Sequence, residues 1–261
     1  MKHKLFLLGF LLCSTIAVTA AELKVDQIIE KANLASFYAG ENGRSDARMI
    51  IVDAKGNKQL RQFVIYRQDV VEDGKDNGDQ NFLVVFSRPA DVRGTVFLVH
   101  KKAGSDDDRW LYLPALDLEK RISASDNRTS FVGANFFYED VSGRHPAADE
   151  HQLVSETDQY YVIKSTPKAP AEVEFVSYEL NIDKQTFLPM KIAYSNQAGE
   201  VYRQVEVVEV AIVQGHPTVM KSKVSDLRSN GYTLLEFRRP SYDVEMADGM
   251  FTTRSLRNPP K

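Results

Sequence analysis

Residues 107–144 read DDRWLYLPALDLEKRISASDNRTSFVGANFFYEDVSGR, and this stretch decides how the fold is interpreted. It begins with a strand-like run in which Trp110 and Tyr112 point to one face and Leu111 and Leu113 to the other, so both faces are apolar. A polar, basic segment follows, and then aromatic residues arrive at a spacing too irregular for one strand. We interpret this last part as a loop or short helix with an apolar underside. Its aromatic residues are Phe131, Phe136, Phe137 and Tyr138.

Two neighbouring runs, residues 82–86 and 96–99, are also apolar on both faces. In an antiparallel sheet one face usually meets water, so strands of this kind need cover on both sides. Residues 176–183 and 188–192 alternate between apolar and polar instead, which predicts one wet face. In all, the pattern predicts about ten strands at short spacing, which is typical of a barrel or a sandwich. The other strand-like runs are residues 48–53, 59–67, 201–213, 218–227 and 232–238.

An amphipathic segment, residues 22–38, precedes these strands. Its apolar residues include Ile28, Ile29 and Ala32, which share one helical stripe. The spacing predicts a helix that ends near Gly40. Two interpretations remain open: a helix packed on a sheet as ordinary core, and a helix that forms part of a lid over a lipid cavity.

The N-terminus resembles a secretory signal, because two lysines precede a short apolar run that ends in small residues. The run is shorter than the roughly 20 residues that a membrane span requires. We expect residues 1–20 to be removed and residues 21–261 to form a single periplasmic domain. Lipid attachment at Cys13 is not expected, since Leu12 stands where a small residue is needed. Because Cys13 is the single cysteine, the mature domain would have no disulfide and no thiolate metal site.

The charge balance and the motif search exclude several classes of function. The formal net charge is −3, and removal of two signal lysines makes it 31 − 36 = −5, which argues against nucleic acid as a partner. We found no nucleophile elbow, no phosphate-binding glycine loop and no metal-ligand spacing, so the sequence predicts no enzyme, cofactor or metal. The carboxylates of residues 106–108 are predicted to be solvated. Glu139 and Asp140 are predicted to form a polar end to the aromatic segment rather than an acid/base pair. His145, His151 and His216 are predicted to lie at the surface.

Several short motifs together resemble the LolA-like family of periplasmic outer-membrane lipoprotein-sorting proteins, which also contains LolB-like and RseB-like half-barrels. The Gly94-Thr95 step before Phe97 and the hairpin at residues 183–189 fit the same family. The resemblance implies an incomplete antiparallel β-barrel with an N-terminal helix and short helical lid segments over a hydrophobic cavity. The motifs that carry it are residues 110–114, 120–122, 125–126, 130–133 and 137–140.

The resemblance also implies a function. It predicts a carrier that binds acyl chains of a lipid or lipoprotein and shuttles it between the inner and outer membranes, as a monomer with transient membrane contact. Its implied partners are an inner-membrane exporter of the resistance-nodulation-division type and an outer-membrane acceptor. Arg88 would lie near the cavity mouth. Two alternatives stay open: a lipid-sensing or assembly module acting through a protein partner, and a hydrolase. The candidate lipid-binding residues are Arg88, Phe97, Trp110, Tyr112, Phe131, Phe136, Phe137 and Tyr138.

Overall fold

The computed structural model describes residues 23–260, and the predicted signal segment lies outside them. The fold is mainly β, with thirteen antiparallel strands in one sheet. The strands are β1 (Asn42–Val52), β2 (Lys58–Glu72), β3 (Lys75–Arg88), β4 (Val96–Lys101), β5 (Asp108–Leu113), β6 (Leu118–Ile122), β7 (Asp149–Glu156), β8 (Tyr160–Pro167), β9 (Ser177–Asp183), β10 (Pro189–Ser195), β11 (Val201–Val213), β12 (His216–Asp226) and β13 (Gly231–Tyr242). The α-helices are α1 (Val25–Phe37), α2 (Tyr138–Ser142) and α3 (Arg254–Arg257).

The strand order shows an open sheet. From one edge to the other it runs β6-β5-β4-β3-β2-β1-β13-β12-β11-β10-β9-β8-β7. Every neighbouring pair is consecutive in the chain except β1 and β13, which pair in the middle with Met49 opposite Leu235. Because β6 and β7 are the two edges, the barrel is incomplete. The predicted half-barrel is therefore confirmed, although it has thirteen strands rather than about ten.

The strands that the sequence pattern missed are the two edge strands and β8. All residues of β6 except Ile122 are exposed, and most of β7 is exposed as well. An edge strand pairs on one side only and carries charged residues, so it shows little of the apolar alternation on which sequence reasoning depends.

Strands β3 to β5 are apolar on both faces as predicted, and both faces are covered. On the inner face Phe97 packs in a core cluster with Phe131 from the connection between β6 and β7. On the outer face Leu98 packs against Phe251 and Leu256 from the C-terminal segment. This segment is also held by His100, whose Nε2 lies 2.7 Å from the Phe251 carbonyl oxygen.

Helix α1 confirms the prediction made from its apolar stripe. Ile28, Ile29 and Ala32 are buried in a second core cluster, against strands β8 to β11. The helix ends where the backbone N–H of Tyr38 donates to the Leu34 carbonyl. Among residues 23–260 no helix is both long and apolar enough to cross a membrane.

Candidate functional site

A cavity of about 230 Å³ lies between α1, α2 and strands β9 to β11. It is smaller than the ~300–1,000 Å³ of most sites for drug-sized ligands, so in this conformation it admits a small group or part of a longer chain. Its apolar wall consists of Ile29, Ala32, Phe37, Phe136, Leu180, Pro189, Ile192 and Val205. Its polar lining includes Asn33, Ser36, Glu139, Asp140, Arg144, His151, Tyr178 and Tyr194.

The close approach of α1 and α2 closes one side of the cavity. Gly143 directly follows α2 and has φ +77° and ψ 157°, a conformation essentially restricted to glycine. A Cβ atom at this position would lie 2.4 Å from Cζ of Phe37, at the end of α1. Glycine is thus required both for the turn and for the contact between the two helices.

A buried lysine connects the C-terminal ends of α1 and α2 to the sheet. Lys101 of β4 is 2% exposed, and its Nζ donates to the Ser142 carbonyl at 2.8 Å. The Nζ atom also lies 4.8 Å from the centre of the Phe37 ring. Burial lowers the pKa of Lys101 to about 8, although the charge of Asp107 opposes this shift. Lys101 therefore joins strand β4 to the ends of both helices.

Arg128 binds the start of the β6–β7 connection to two carboxylates. Its Nη1 donates to Glu139, while Nε and Nη2 donate to Glu174 at 2.8 and 2.9 Å. Its guanidinium also lies 4.7 Å from the centre of the Phe175 ring. Burial lowers the pKa of Arg128, but the hydrogen bonds to Glu174 and the charge of Glu139 outweigh burial and raise it. The side chain is thus permanently charged and fully paired.

Arg144 makes a similar set of bonds at the far end of the connection. Its Nε and Nη2 donate to Asp149 at 2.8 and 2.9 Å, and its Nη1 donates to Glu139 at 3.2 Å. Asp149 also accepts the Tyr178 hydroxyl at 2.7 Å. Burial, followed by the charge of Asp149, raises the pKa of Tyr178, which keeps this hydroxyl a donor. Both ends of the connection are therefore fixed over the sheet.

Arg203 on β11 is the third arginine beneath the connection. Its Nη2 donates to Asp140 and, at 3.4 Å, to the Asn135 carbonyl. The guanidinium lies 4.3 Å from the centre of the Phe137 ring and 5.2 Å from that of Tyr194. Among residues 23–260, Nε and Nη1 of Arg203 have no hydrogen-bond partner, and both atoms are buried.

The residues predicted to bind lipid fall into five places. Phe136 lines the cavity. Phe97, Phe131 and Tyr138 are buried in the core cluster on the inner face, and Phe137 stacks on the arginines. Trp110 and Tyr112 pack on the outer face beside the C-terminal segment. Arg88 is exposed at the end of β3. These positions do not measure lipid binding, and the eight assignments remain predictions.

Two acidic residues near the cavity are buried in ion pairs, and one of them, Asp107, was predicted to be solvated. Glu139 is buried between Arg128 and Arg144. The Asp107 side chain is 1% exposed and pairs with Arg109 at 2.6 Å. In addition, His145 Nε2 lies 2.8 Å from Asp107. The prediction for Asp107 was wrong because a carboxylate next to an arginine in the fold looks the same in sequence as one that faces water.

His151 is another half-buried exception to the predicted surface histidines. Its Nδ1 lies 2.8 Å from the Ser165 hydroxyl and its Nε2 2.9 Å from the Pro146 carbonyl. Among residues 23–260 no cluster of three or more histidine, cysteine, aspartate or glutamate side chains could hold a metal ion.

Sequence reasoning missed the arginines at positions 128, 144 and 203 altogether. Arg128 and Arg144 lie beside the short motifs of residues 107–144 without belonging to one, and Arg203 occurs in an alternating stretch. The available signal was the pair Glu139 and Asp140 directly after an aromatic run, because carboxylates next to a buried segment need cationic partners. The adjacent carboxylates predict basic partners, but they do not identify the residues that supply them.

The open sheet, its helical cover and the cavity define the half-barrel class of protein, and comparison with known proteins specifies the family. A family model described as "Uncharacterized protein" matches residues 78–258. The chain belongs to this family, and its fold is LolA-like. No curated protein matches the sequence.

Three solved structures share the fold over most of the chain. A DUF1329 family protein from Desulfovibrio piger is 27% identical, with 89% of this chain and 97% of that chain covered and a TM-score of 0.78. An outer membrane lipoprotein-sorting protein domain from Vibrio parahaemolyticus is 21% identical over 88% and 97% of the two chains, with a TM-score of 0.77. A LolA superfamily protein from Nitrosomonas europaea is 18% identical over 89% and 99%, with a TM-score of 0.67.

Proposed function

We propose that this protein is a periplasmic carrier that binds acyl chains of a lipid or lipoprotein in the cavity beneath α1 and moves it between membranes without catalysing a reaction. In this proposal residues 1–20 direct export and residues 21–261 act as a single lipid-binding domain. The observation that carries it is the apolar cavity on the concave face of a LolA-like half-barrel, covered by α1 and α2.

The energetics of acyl burial support a carrier that uses no energy source of its own. Each buried methylene contributes roughly 0.8 kcal/mol, so about ten methylenes would contribute roughly 8 kcal/mol. A cavity of about 230 Å³ is small for a complete chain, so binding requires α1 to move away from strands β9 to β11. Such movement would expose part of the second core cluster, to which Ile28, Ile29 and Ala32 of α1 belong, and in this proposal the bound acyl chain covers the exposed surface.

The direct test is native mass spectrometry of the protein purified from its own periplasm, followed by lipid extraction. We expect a co-purifying acyl lipid. The matched variants are on one helix: Ala32→Phe places a ring in the cavity, whereas Leu34→Phe adds the same ring at a position that is 48% exposed. Ala32→Phe should lose the lipid and Leu34→Phe should keep it. Absence of lipid from the wild-type protein, or equal retention by the two variants, would contradict the proposal.

Transfer and location of the lipid are tested separately. Movement of a labelled acyl lipid from donor to acceptor vesicles is expected for a carrier, whereas tight binding without transfer would favour the lipid-sensing alternative.

Trp110 is the only tryptophan and lies on the outer face. Lipid bound in the cavity should therefore leave the fluorescence emission of Trp110 unchanged. A shift in the emission of Trp110 would instead indicate that lipid binds on the outer face. That result would support the prediction that Trp110 itself contacts lipid.

A further inference from the structure

Most of the polar side chains that line the cavity already have hydrogen-bond partners in the protein. Buried polar groups are nearly always paired, so a lining group that is not paired marks a place for a ligand. Among residues 23–260, three lining residues keep a polar side-chain atom without a partner, and they are Asn33, Asp140 and Tyr194. The lining residues whose side-chain groups are already bonded are Ser36, Glu139, Arg144, His151 and Tyr178.

Tyr194 of β10 is the most deeply buried of the three, with 6% of its surface exposed. It lines the cavity, and its hydroxyl makes no hydrogen bond to any of residues 23–260. The hydroxyl oxygen is nevertheless not one of the unpaired polar atoms that are closed off from a water-sized molecule, in contrast to Nε and Nη1 of Arg203. A molecule in the cavity can therefore reach this hydroxyl, and an unpaired hydroxyl in a largely apolar cavity favours a ligand that pairs with it.

The Tyr194 ring is held from several sides. The guanidinium groups of Arg128 and Arg203 lie 5.1 and 5.2 Å from its centre, and the centre of the Phe175 ring lies 5.2 Å away. Burial raises the pKa of Tyr194, although the charges of Arg128 and Arg203 oppose this shift, so the hydroxyl keeps its proton. The hydroxyl is thus a neutral donor at a fixed position, and little ordering is needed when a ligand binds to it.

We propose that the cavity binds an acyl chain by its amide group, with the Tyr194 hydroxyl donating to the amide carbonyl and Oδ1 of Asp140 accepting the amide N–H. This inference rests on the proposed function and adds to it the chemical class of the cargo. Oδ2 of Asp140 accepts the backbone N–H of Phe137 at 2.7 Å and pairs with Arg203, whereas Oδ1 has no partner among residues 23–260. Arg203 contacts both Asp140 and the Tyr194 ring, so the carboxylate and the hydroxyl are neighbours in the cavity wall.

A donor beside an acceptor selects the chemical class of the ligand. An ester accepts a hydrogen bond from Tyr194 but offers no donor to Asp140. A carboxylate would bring a negative charge close to Asp140 and Glu139, which repel it. A secondary amide offers one acceptor and one donor without adding charge. Asn33 is not needed for this recognition, because it belongs to α1, the helix that has to move when the chain enters.

The test uses three probes with the same alkyl chain and the same terminal hydroxyl, which differ only in the linking group. They are lauroyl ethanolamide, ethylene glycol monolaurate and ethylene glycol monododecyl ether, measured by isothermal titration calorimetry below their critical micelle concentrations. The wild-type protein should bind the amide about fivefold more tightly than the ester, and the ester about fivefold more tightly than the ether. Each ratio corresponds to about 1 kcal/mol, the size of one hydrogen bond. Because an amide is costly to bury unpaired, a cavity without an acceptor for its N–H would prefer the ester instead.

Two matched variants separate the cavity hydroxyl from a structural one. Tyr194→Phe removes the hydroxyl alone, so it should bring the ester-to-ether ratio close to one while leaving the melting temperature nearly unchanged. Tyr202→Phe is the control, because Tyr202 is 2% exposed, does not line the cavity and donates its hydroxyl to Glu174 at 2.7 Å. It should lower the melting temperature and leave both ratios as they are in the wild-type protein.

The outcomes distinguish this inference from the proposed function. Equal affinity of the wild-type protein for the three probes, a preference for the ester over the amide, or an ester-to-ether ratio that survives Tyr194→Phe overturns the amide assignment and leaves the carrier function intact. Failure of the wild-type protein to bind any of the three probes overturns both.

Discussion

Substitution of Gly143 by alanine tests the contact between the two helices that close the cavity. The backbone conformation alone should cost about 1–3 kcal/mol, because φ +77° with ψ 157° is essentially restricted to glycine. The new Cβ would also lie 2.4 and 2.5 Å from two ring atoms of Phe37, an overlap that should add about 1–3 kcal/mol. We expect Gly143→Ala to lower the free energy of unfolding by about 2–6 kcal/mol in all.

The assay is urea unfolding followed by circular dichroism, with two controls. Gly133 has φ +84° and a Cβ there would meet nothing within 4 Å, so Gly133→Ala should show backbone strain alone, about 1–3 kcal/mol. In a Phe37→Ala background the overlap is gone, so Gly143→Ala should cost only the strain. If Gly143→Ala costs the same with and without the Phe37 ring, the close approach is not what requires glycine, and this reasoning is refuted.

Three further predictions concern the cover of the sheet, the buried lysine and the buried arginines. Phe251→Ala should lower the free energy of unfolding by about 3–5 kcal/mol in the same assay, because the ring covers the outer face of β3 to β5. Burial lowers the pKa of Lys101 to about 8, so between about pH 8 and 10 the unfolded chain binds more protons than the folded protein. Lys101 should therefore make the free energy of unfolding rise with pH over this range, by up to about 3 kcal/mol. Lys101→Met should flatten this rise, and an unchanged slope between these pH values would show that burial does not lower the pKa of Lys101. Arg128→Met should cost about 3–5 kcal/mol because it removes the cation that Glu139 and Glu174 share and leaves buried Glu139 with Arg144 alone. Arg228→Met, which breaks an exposed pair, should cost no more than about 1 kcal/mol, and similar melting of the two variants would contradict this.

Much of the fold could be predicted from the sequence because buried apolar residues recur with the period of a helix or a strand. The stripe of α1, the alternating strands β9 and β10 and the doubly apolar strands β3 to β5 were all visible in this way. The sequence also predicted that both faces of β4 are covered. It did not predict that Phe251 and Leu256 cover one of them, because the pattern of a strand does not identify the residues that pack on it.

The candidate site was less predictable than the sheet. Phe131 and Trp110 occur in the same stretch, residues 107–144, yet they lie on opposite faces of the half-barrel, because aromatic residues mark burial without specifying which side. Arg203 lies in the β11 run VYRQVEV, where it looks like the polar member of an alternating strand. Its role depends on Asp140, which is distant in sequence and comes near only after the connection folds over the sheet.

The pairing of β1 with β13 has a consequence for the order in which the chain folds. Every other pairing joins consecutive strands, so each half of the sheet can grow as a series of hairpins from local contacts. The central pairing, with Val52 opposite Tyr232, must wait until almost the whole chain is available. Until then β1 presents an unpaired edge of the kind that promotes aggregation. The two strands at the centre of the finished sheet are therefore expected to be the last to pair with each other.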